Sequence, residues 1–427
     1  MSEIKATKEM LAARAHMLPT VDFDCRFSVR ELQSTRCCSN LFELLRTDPY
    51  APLLSAAGIA KAEISGNAAD FEKCEALLAA ARHLSGTALA EVLSLDLAVL
   101  GCKLPQNDTE AAAAWQHVAA ELQSRNVTLR DATKNTACVL LPVSPLTLSE
   151  FVAPVPIARP VLDLAPLFAF TERSFAATVA AFCQKKEPTL ADLEETLCDT
   201  LSRFAALGGR LILVDFAAFT HFEKPNPYHA EKALAACLAG EHPTDAQISL
   251  LLAQLLRSIG RAAAPLGLLA KWRFAADFTP VSGDMMAQEL EKLLSYLDEY
   301  DALPPTLLSH TVLTAPCPFA ALIGKFAKGD GAPRLFFGFE GACATRADIR
   351  LAILAYLRHG AAKLLLGITG SEMGGIVPAS TRFYREAVAE VLSTWGEENP
   401  AVTEENIFLA LQDLCINNAL RFLSENK

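Results

Sequence analysis

The sequence between residues 210 and 274 decides the fold: RLILVDF at 210–216 is followed by DAQISLLLAQLLRSIGRAA at 245–263 and LGLLAKWRF at 266–274. The first and last of these stretches are short runs dominated by apolar residues, which predicts buried strands. The middle stretch repeats its apolar residues at helical spacing, which predicts an amphipathic helix. A strand, a helix and a second strand in this order indicate a parallel sheet.

Six further strand-like runs lie outside this stretch, and most of them are separated by helical segments. Eight strands that alternate with helices favour an α/β TIM (β/α)8 barrel over an open sheet. A Rossmann fold is disfavoured because no G-x-G-x-x-G follows any of the runs. The further strand-like runs are 20–27, 137–143, 160–165, 306–312, 334–339 and 363–368, and the further helix candidates include 71–83, 110–124, 190–207, 286–297, 318–326 and 348–359.

The barrel interpretation divides the chain into four parts. Residues 1–17 are predicted to form an N-terminal helix, and residues 18–30 contain the first barrel strand. Residues 31–135 are predicted to form a helical insertion subdomain that caps the barrel, since a connection of this length exceeds usual loops. Residues 136–427 are predicted to form the remainder of the (β/α)8 barrel.

Composition and charge exclude several classes of partner. The 427 residues are 52% hydrophobic and 20% charged, with a net charge of -11, which is typical of a globular protein with a large core. An acidic surface repels phosphate backbones and anionic lipids, so neither nucleic acid nor a membrane is an expected partner. The 12 cysteines include no C-x-x-C pair, and the N-terminus has no apolar signal-peptide core. We therefore expect a cytoplasmic protein. A homo-oligomer is a separate expectation, which these features do not test.

In a TIM barrel, chemistry lies at the carboxyl ends of the strands. Here the first strand would end in DCR at 24–26, the fourth in DFA at 215–217, the fifth in KWR at 271–273 and the last in TGSE at 369–372. Acidic and basic residues thus cluster at the positions where a barrel would hold a ligand.

Several of these segments resemble the uronate isomerases. DFDCRF at 22–27 is similar to that family's D-Y-H-C-H-L, ARP at 158–160 to its W-R-P-D, and TGSE at 369–372 to its T-D-S-R. DLCINNA at 413–419 is similar to D-I-C-Y-N-N-A, and the resemblance spans about 18–423. It implies an amidohydrolase-type barrel, a divalent metal, and the aldose–ketose isomerisation of D-glucuronate or related hexuronates.

The resemblance is weakest at the residues that carry the chemistry. Position by position, the family's three metal ligands become Asp24, Arg26 and Gly370. Asp24 could still ligate a metal, but a guanidinium has no free lone pair and glycine has no side chain. The histidines of the family's D-H-G and L-H-I segments become Phe216 and Arg273. The resemblance therefore implies that the metal site is degenerate, and we expect no metal cofactor.

The same carry-over gives candidate site residues. An arginine near the substrate could grip a sugar carboxylate. Alternatively, the charged residues could form a network that fills the vacated metal cavity, in which Arg26 pairs with Glu372 and both Asp24 and Arg273 take part. Arg159 could be a salt-bridged arginine at the start of a strand. Asp215 could cap a turn. The catalytic candidates are Asp24, Arg26, Asp215 and Glu372, and the substrate-binding candidates are Arg159 and Arg273.

Two other features have an alternative interpretation. His221, Glu223 and His229 could form a substitute metal site, although their spacing is not a standard one. Cys25 could be a nucleophile, but strand alternation would point it away from its charged neighbours, so we predict a buried thiol. Three functions stay open: an isomerase with a modified, possibly metal-free mechanism, a non-catalytic sugar-acid binder, and a structural partner of an active paralogue.

Overall fold

The computed structural model describes most of the chain. The described residues are 7–23, 25, 28–40, 58, 68–81, 83, 85–128, 131, 135–153, 156–216, 219, 221–273, 283–309, 322, 325–326, 334–339, 346–358, 365–368 and 379–424.

Eight parallel strands form one sheet in sequential order, β1 to β8. All eight predicted strands are present, although their bounds differ from those of the predicted runs. Among the described residues the pairings run from β1 to β8, and none joins β8 back to β1. The strands are β1 (Thr20–Asp22), β2 (Thr136–Val143), β3 (Ala158–Asp163), β4 (Leu211–Asp215), β5 (Leu269–Arg273), β6 (Thr306–Ser309), β7 (Leu335–Phe339) and β8 (Leu365–Ile368).

Helices precede, separate and follow these strands. The short 3-10 turns Leu148–Glu150 and Ala165–Leu167 lie before and after β3, and a π-helical turn, Asp413–Asn417, precedes the last helix. The helix predicted over 318–326 falls mostly outside the described residues. The described α-helices are α1 (Lys8–Met17), α2 (Val29–Gln33), α3 (Asp70–Ala81), α4 (Ala88–Val99), α5 (Asp108–Ser124), α6 (Phe175–Cys183), α7 (Leu190–Ala206), α8 (Pro227–Leu238), α9 (Asp245–Ala263), α10 (Gly283–Glu299), α11 (Arg346–Arg358), α12 (Ala379–Glu398), α13 (Glu404–Gln412) and α14 (Asn418–Ser424).

Helix α9 shows why the sequence folds as it does. Thr244 accepts a hydrogen bond from the Gln247 amide and completes a capping box, which fixes the start of the helix. Its buried residues include Leu251, Leu255 and Ile259 at helical spacing. A Cβ atom at Gly260 would lie 1.7 Å from the Ala302 carbonyl oxygen, so glycine permits the close packing of α9 against that segment. The helix occupies the predicted bounds.

The sheet is strongly curled. The Nζ atom of Lys271 on β5 lies 3.3 Å from the carbonyl oxygen of Phe23, which follows β1. In a flat sheet these two strands, four positions apart, would be separated by about 19 Å. The ring of Phe422 on α14 also contacts both Phe23 and Phe336 of β7. The concave face of the sheet is therefore narrow enough for single side chains to cross it.

Two apolar layers hold the fold together. Leu211 and Leu213 of β4 belong to a cluster on the concave face, whereas Ile212 and Val214 pack into the cluster shared with the helices. This alternation is the two-residue period of a strand that is buried on both faces. Residues of α14 and the π-helical turn also belong to the concave cluster.

The segment between β1 and β2 contains helices α2 to α5, and the predicted helices 71–83 and 110–124 correspond to α3 and α5. The rings of Phe71 and Trp115 join these two helices, with centroids 5.5 Å apart. The subdomain bounds of 31–135 remain a prediction. No helix in the described part of the chain is long and apolar enough to span a bilayer.

Candidate functional site

The carboxyl edge of the sheet brings two of the predicted site residues together. Asp215 ends β4 and Arg273 ends β5, and the two residues are register partners across this strand pair. Asp215 lies two residues after Leu213, and Arg273 lies two residues after Lys271. Because side chains alternate along a strand, both side chains lie on the concave face, as those of Leu213 and Lys271 do.

Asp215 and Arg273 form an ion pair. The Nη2 atom of Arg273 lies 2.9 Å and its Nε atom 3.3 Å from Oδ2 of Asp215. The side chains are 21% and 29% exposed, respectively, so the pair is partly shielded but still reachable. A carboxylate beside a guanidinium at this edge can move a proton or orient an anion.

The residue after Asp215 has a structural role. Phe216 is fully buried and packs on Trp272, with ring centroids 4.8 Å apart, and on Phe219 at 5.7 Å. These rings belong to the apolar cluster shared with the helices. Its phenyl ring offers no lone pair to a metal and no proton to a substrate.

Arg159 lies at the start of β3, and thus at the end of the strand away from Asp163. Its Nη1 atom donates to the carbonyl oxygens of Pro156 and Ala158, each at 2.9 Å. Burial raises the pKa of the neighbouring Cys138 thiol to about 11, while the positive charge of Arg159 acts in the opposite direction. The structure therefore places this substrate-binding candidate at a strand start and bonds it to the main chain of its own segment.

Cys25 is confirmed as a buried thiol. It is 1% exposed and packs with Leu32, Val139 and Leu141, as the alternation argument predicted. Its charged neighbours in sequence lie outside the described residues, as does the end of the last strand. The pairing of Arg26 with Glu372, and the contributions of Asp24 and Gly370, thus remain predictions.

The loop after β4 is held by its backbone. The Ser249 hydroxyl accepts from the Glu223 amide at 2.8 Å and donates to the His221 carbonyl at 2.7 Å. Glu289 accepts from the Phe222 amide at 2.9 Å. Burial opposes ionisation of Glu289, but hydrogen bonds from Lys292 and from this amide hold its pKa below the usual range.

This loop does not bring together the substitute metal ligands considered above. His221 Nε2 lies 3.7 Å from Glu223 Oε1, while His229 is on α8, with its ring beside Tyr228. Within the part of the chain that the structure describes, no three His, Cys, Asp or Glu side chains are grouped so that they could hold a metal ion.

One buried charge was missed by the sequence interpretation. Lys271 is fully buried on the concave face, two residues before Arg273. The signal was a lysine in phase with Arg273 within an otherwise apolar run. The alternation of side chains along a strand puts these two residues on the same face.

Comparison with known proteins identifies relatives across the whole chain. The family described as "Glucuronate isomerase" matches residues 1–423. A uronate isomerase from Caldanaerobacter subterraneus subsp. tengcongensis is 22% identical over 437 residues, covering 94% of this chain and 93% of that protein.

Solved structures agree in fold. The crystal structure of a uronate isomerase from Thermotoga maritima gives a TM-score of 0.76 at 14% identity, covering 97% of each chain. That of a glucuronate isomerase from Caulobacter crescentus gives a TM-score of 0.72 at 12% identity, covering 100% of this chain and 96% of the other. At these identities the likeness establishes a shared fold.

Proposed function

This chain belongs to the glucuronate isomerase family, and on that premise we propose that it binds hexuronates at the carboxyl edge of its sheet while isomerising D-glucuronate far more slowly than a metal-dependent isomerase. The site that we propose comprises Asp215 and Arg273, together with the predicted residues Asp24, Arg26 and Glu372. The proposal separates ligand binding, which arginine can support, from catalysis, which the family resemblance assigns to a metal.

The proposal includes a closed (β/α)8 barrel, with β8 beside β1. The sequential order of eight parallel strands and the reach of Lys271 from β5 to Phe23 support closure. Closure would bring the end of β8 next to the end of β1, so that Arg26 and Glu372 would share one mouth with the Asp215–Arg273 pair. An eight-stranded barrel interior is just wide enough for side chains to fill.

The donor set does not fit a divalent metal. At the three carried-over ligand positions the sequence has one carboxylate, one guanidinium and one glycine. A catalytic site needs about three protein ligands, and a permanently protonated guanidinium repels a cation. Asp24 alone is too few, so we derive no step that uses a metal.

The observation that carries the proposal is the ion pair of Asp215 with Arg273. Arg273 occupies a position where the family resemblance implies a histidine. The Asp215 carboxylate holds its guanidinium at the carboxyl edge of the sheet. A guanidinium has five N–H donors in a planar fork, and two of them bond Asp215. This geometry suits the recognition of a planar carboxylate, which is the group that distinguishes a sugar acid from a sugar.

The test compares binding with turnover. Protein stripped of metal with a chelator is titrated with D-glucuronate by calorimetry, and its isomerase rate is measured with and without added Zn²⁺ or Mn²⁺. We expect saturable binding and a rate about a thousandfold below that of the Thermotoga maritima uronate isomerase assayed in parallel, because Lewis-acid stabilisation is missing. A metal-dependent rate within tenfold of that reference, or the absence of glucuronate binding, would overturn the proposal.

A further inference from the structure

Three consecutive strands end in a charged residue at the carboxyl edge of the sheet. β3 ends at Asp163, β4 at Asp215 and β5 at Arg273. Only the last two residues belong to the site proposed above. Because ligands bind at this edge in such folds, Asp163 is a candidate for a further residue of the same site.

Asp163 lies on the concave face. Val161, two residues earlier on β3, belongs to the concave apolar cluster, whereas Leu162 packs into the cluster shared with the helices. Because side chains alternate along a strand, the side chain of Asp163 lies on the same face as that of Val161. The residue is half-buried. Its register partner on β4 is Leu213, which precedes Asp215 by two residues on the same face.

Asp163 and Arg273 lie on opposite sides of β4, with which both of their strands pair. Two strand spacings separate them across the sheet, about 10 Å, and the curl of the sheet turns both side chains towards the same space. A hexuronate has a carboxylate at one end and hydroxyl groups along the rest of its carbon chain. A guanidinium suits the carboxylate. An ionised carboxylate only accepts hydrogen bonds, and it therefore suits the hydroxyl groups.

The competing interpretation of Asp163 is a turn cap. Its Oδ1 atom accepts a hydrogen bond from the Ala165 amide at 3.0 Å, at the start of the 3-10 turn that follows β3. Aspartate and asparagine both stabilise turns through such a bond. The cap therefore accounts for a side-chain oxygen at this position, but it does not require a charged one.

We propose that Asp163 is a further ligand-binding residue of the site: its carboxylate accepts hydrogen bonds from hydroxyl groups of the hexuronate whose own carboxylate Arg273 binds. This inference rests on the proposed function and deepens it. Arg273 selects an acid, and Asp163 selects an acid that carries hydroxyl groups.

The test uses the sign of a change in affinity. D-Glucuronate binding is measured by calorimetry for the natural protein and for Asp163→Asn, which keeps an oxygen for the Ala165 amide. A carboxylate that only lies near an anionic ligand repels it, so its neutralisation would strengthen binding. A residue that only caps the turn would leave the affinity unchanged. We expect Asp163→Asn to weaken binding about tenfold, because charge-assisted hydrogen bonds from the ligand hydroxyls are lost.

A second ligand separates hydroxyl recognition from a distorted site. Cyclohexanecarboxylate has a ring and a carboxylate but no hydroxyl groups, and Asp163→Asn should bind it at least as tightly as the natural protein does. Asp131→Asn is the matched control, since Oδ2 of Asp131 accepts a hydrogen bond from the Thr128 amide at 2.7 Å in a turn between α5 and β2. The same substitution there should leave both affinities unchanged.

The outcomes distinguish this inference from the proposed function. Unchanged or stronger D-glucuronate binding by Asp163→Asn would overturn the inference while the proposed function stands, and so would an equal weakening of both ligands. If the natural protein does not bind D-glucuronate, the proposed function fails first. Equal affinity of the natural protein for D-glucuronate and cyclohexanecarboxylate would overturn the inference even if the variant did not fold.

Discussion

The two ends of the concave face differ in chemistry, and strands β4 and β5 show the change within five residues each. At the amino end the inward side chains are apolar and belong to a cluster that also includes residues of the C-terminal helix α14. At the carboxyl end they are charged and form the candidate site. The inward positions are Leu211, Leu213 and Asp215 on β4, and Leu269, Lys271 and Arg273 on β5.

This difference separates stability from function. The amino end consists of interlocking rings and aliphatic side chains, so truncating one of them should lower the free energy of unfolding without a specific effect on ligands. The carboxyl end contains charges whose desolvation is unfavourable and whose removal should change ligand binding more than folding. The division agrees with the general rule for strand ends in such folds, and it can be tested one end at a time.

The largest expected effect is at the amino end. Phe422 is 1% exposed, and its ring lies 4.7 Å from that of Phe336 and 6.0 Å from that of Phe23. We expect Phe422→Ala to lower the free energy of unfolding by about 3–5 kcal/mol, because it leaves a cavity. Chemical denaturation measures this change. Leu420→Ala on the same helix, at a 42% exposed position, is the control and should change stability by less than about 0.5 kcal/mol.

For the comparison to hold, the folded Phe422→Ala protein must bind D-glucuronate with the affinity of the natural protein. A loss of that affinity would show that the two ends are coupled and that the amino end also shapes the site.

Much of the fold could be predicted from local pattern. The order of eight strands and the bounds of α9 follow from apolar runs and from the Thr244 capping box, which are local signals. Strand ends were placed too late in several cases; the prediction extended β3 to residue 165, whereas it ends at Asp163. Helices α6, α8, α12, α13 and α14 were not predicted. The alanine-rich stretches of α6 and α8 show weak helical periodicity.

The site was less predictable because it depends on contacts between strands. Asp215 and Arg273 were both candidates, but only the register of β4 with β5 pairs them. Lys271 was missed because the burial of one side chain depends on the curl of the whole sheet. Arg159 was expected near the substrate from the resemblance, yet its guanidinium bonds main-chain carbonyls at the start of β3.

An intermediate effect is expected when the ion pair at the carboxyl end is broken. Because the pair is partly exposed, Asp215→Ala and Arg273→Ala should each lower the free energy of unfolding by about 1–2 kcal/mol, and the double-mutant cycle should give a coupling of about 1 kcal/mol. Their effects on D-glucuronate affinity should have opposite signs. Arg273→Ala leaves a carboxylate that repels the ligand, and Asp215→Ala leaves a guanidinium that attracts it.

Calorimetric titration of the two single variants measures these signs. Binding of D-glucuronamide, the uncharged analogue of D-glucuronate, provides the control, since it should change little in either variant. If both variants weaken D-glucuronate binding equally, the pair serves to shape the site, and the assignment of Arg273 to the ligand carboxylate is wrong.

The smallest effect is expected at another pair of a basic side chain with an aspartate, which lies at the start of helix α7 and away from the sheet. Lys185 pairs with Asp192, which also completes the capping box of Thr189 at the start of α7. The hydrogen bond from Lys185, followed by those from the Thr189 amide and hydroxyl, lowers the pKa of Asp192 to about 2. Because the folded-state pKa lies below the usual value of 3.8, the stabilisation by this carboxylate is present above about pH 4 and is lost as the pH falls towards 2.

Asp192→Asn should therefore flatten the decline of the unfolding midpoint between pH 4 and pH 2, as followed by circular dichroism, and should leave D-glucuronate affinity at pH 7 unchanged. An effect on affinity as large as that of Arg273→Ala would mean that the position of a charge pair does not decide its role, and the contrast between the carboxyl edge and the rest of the molecule would be lost.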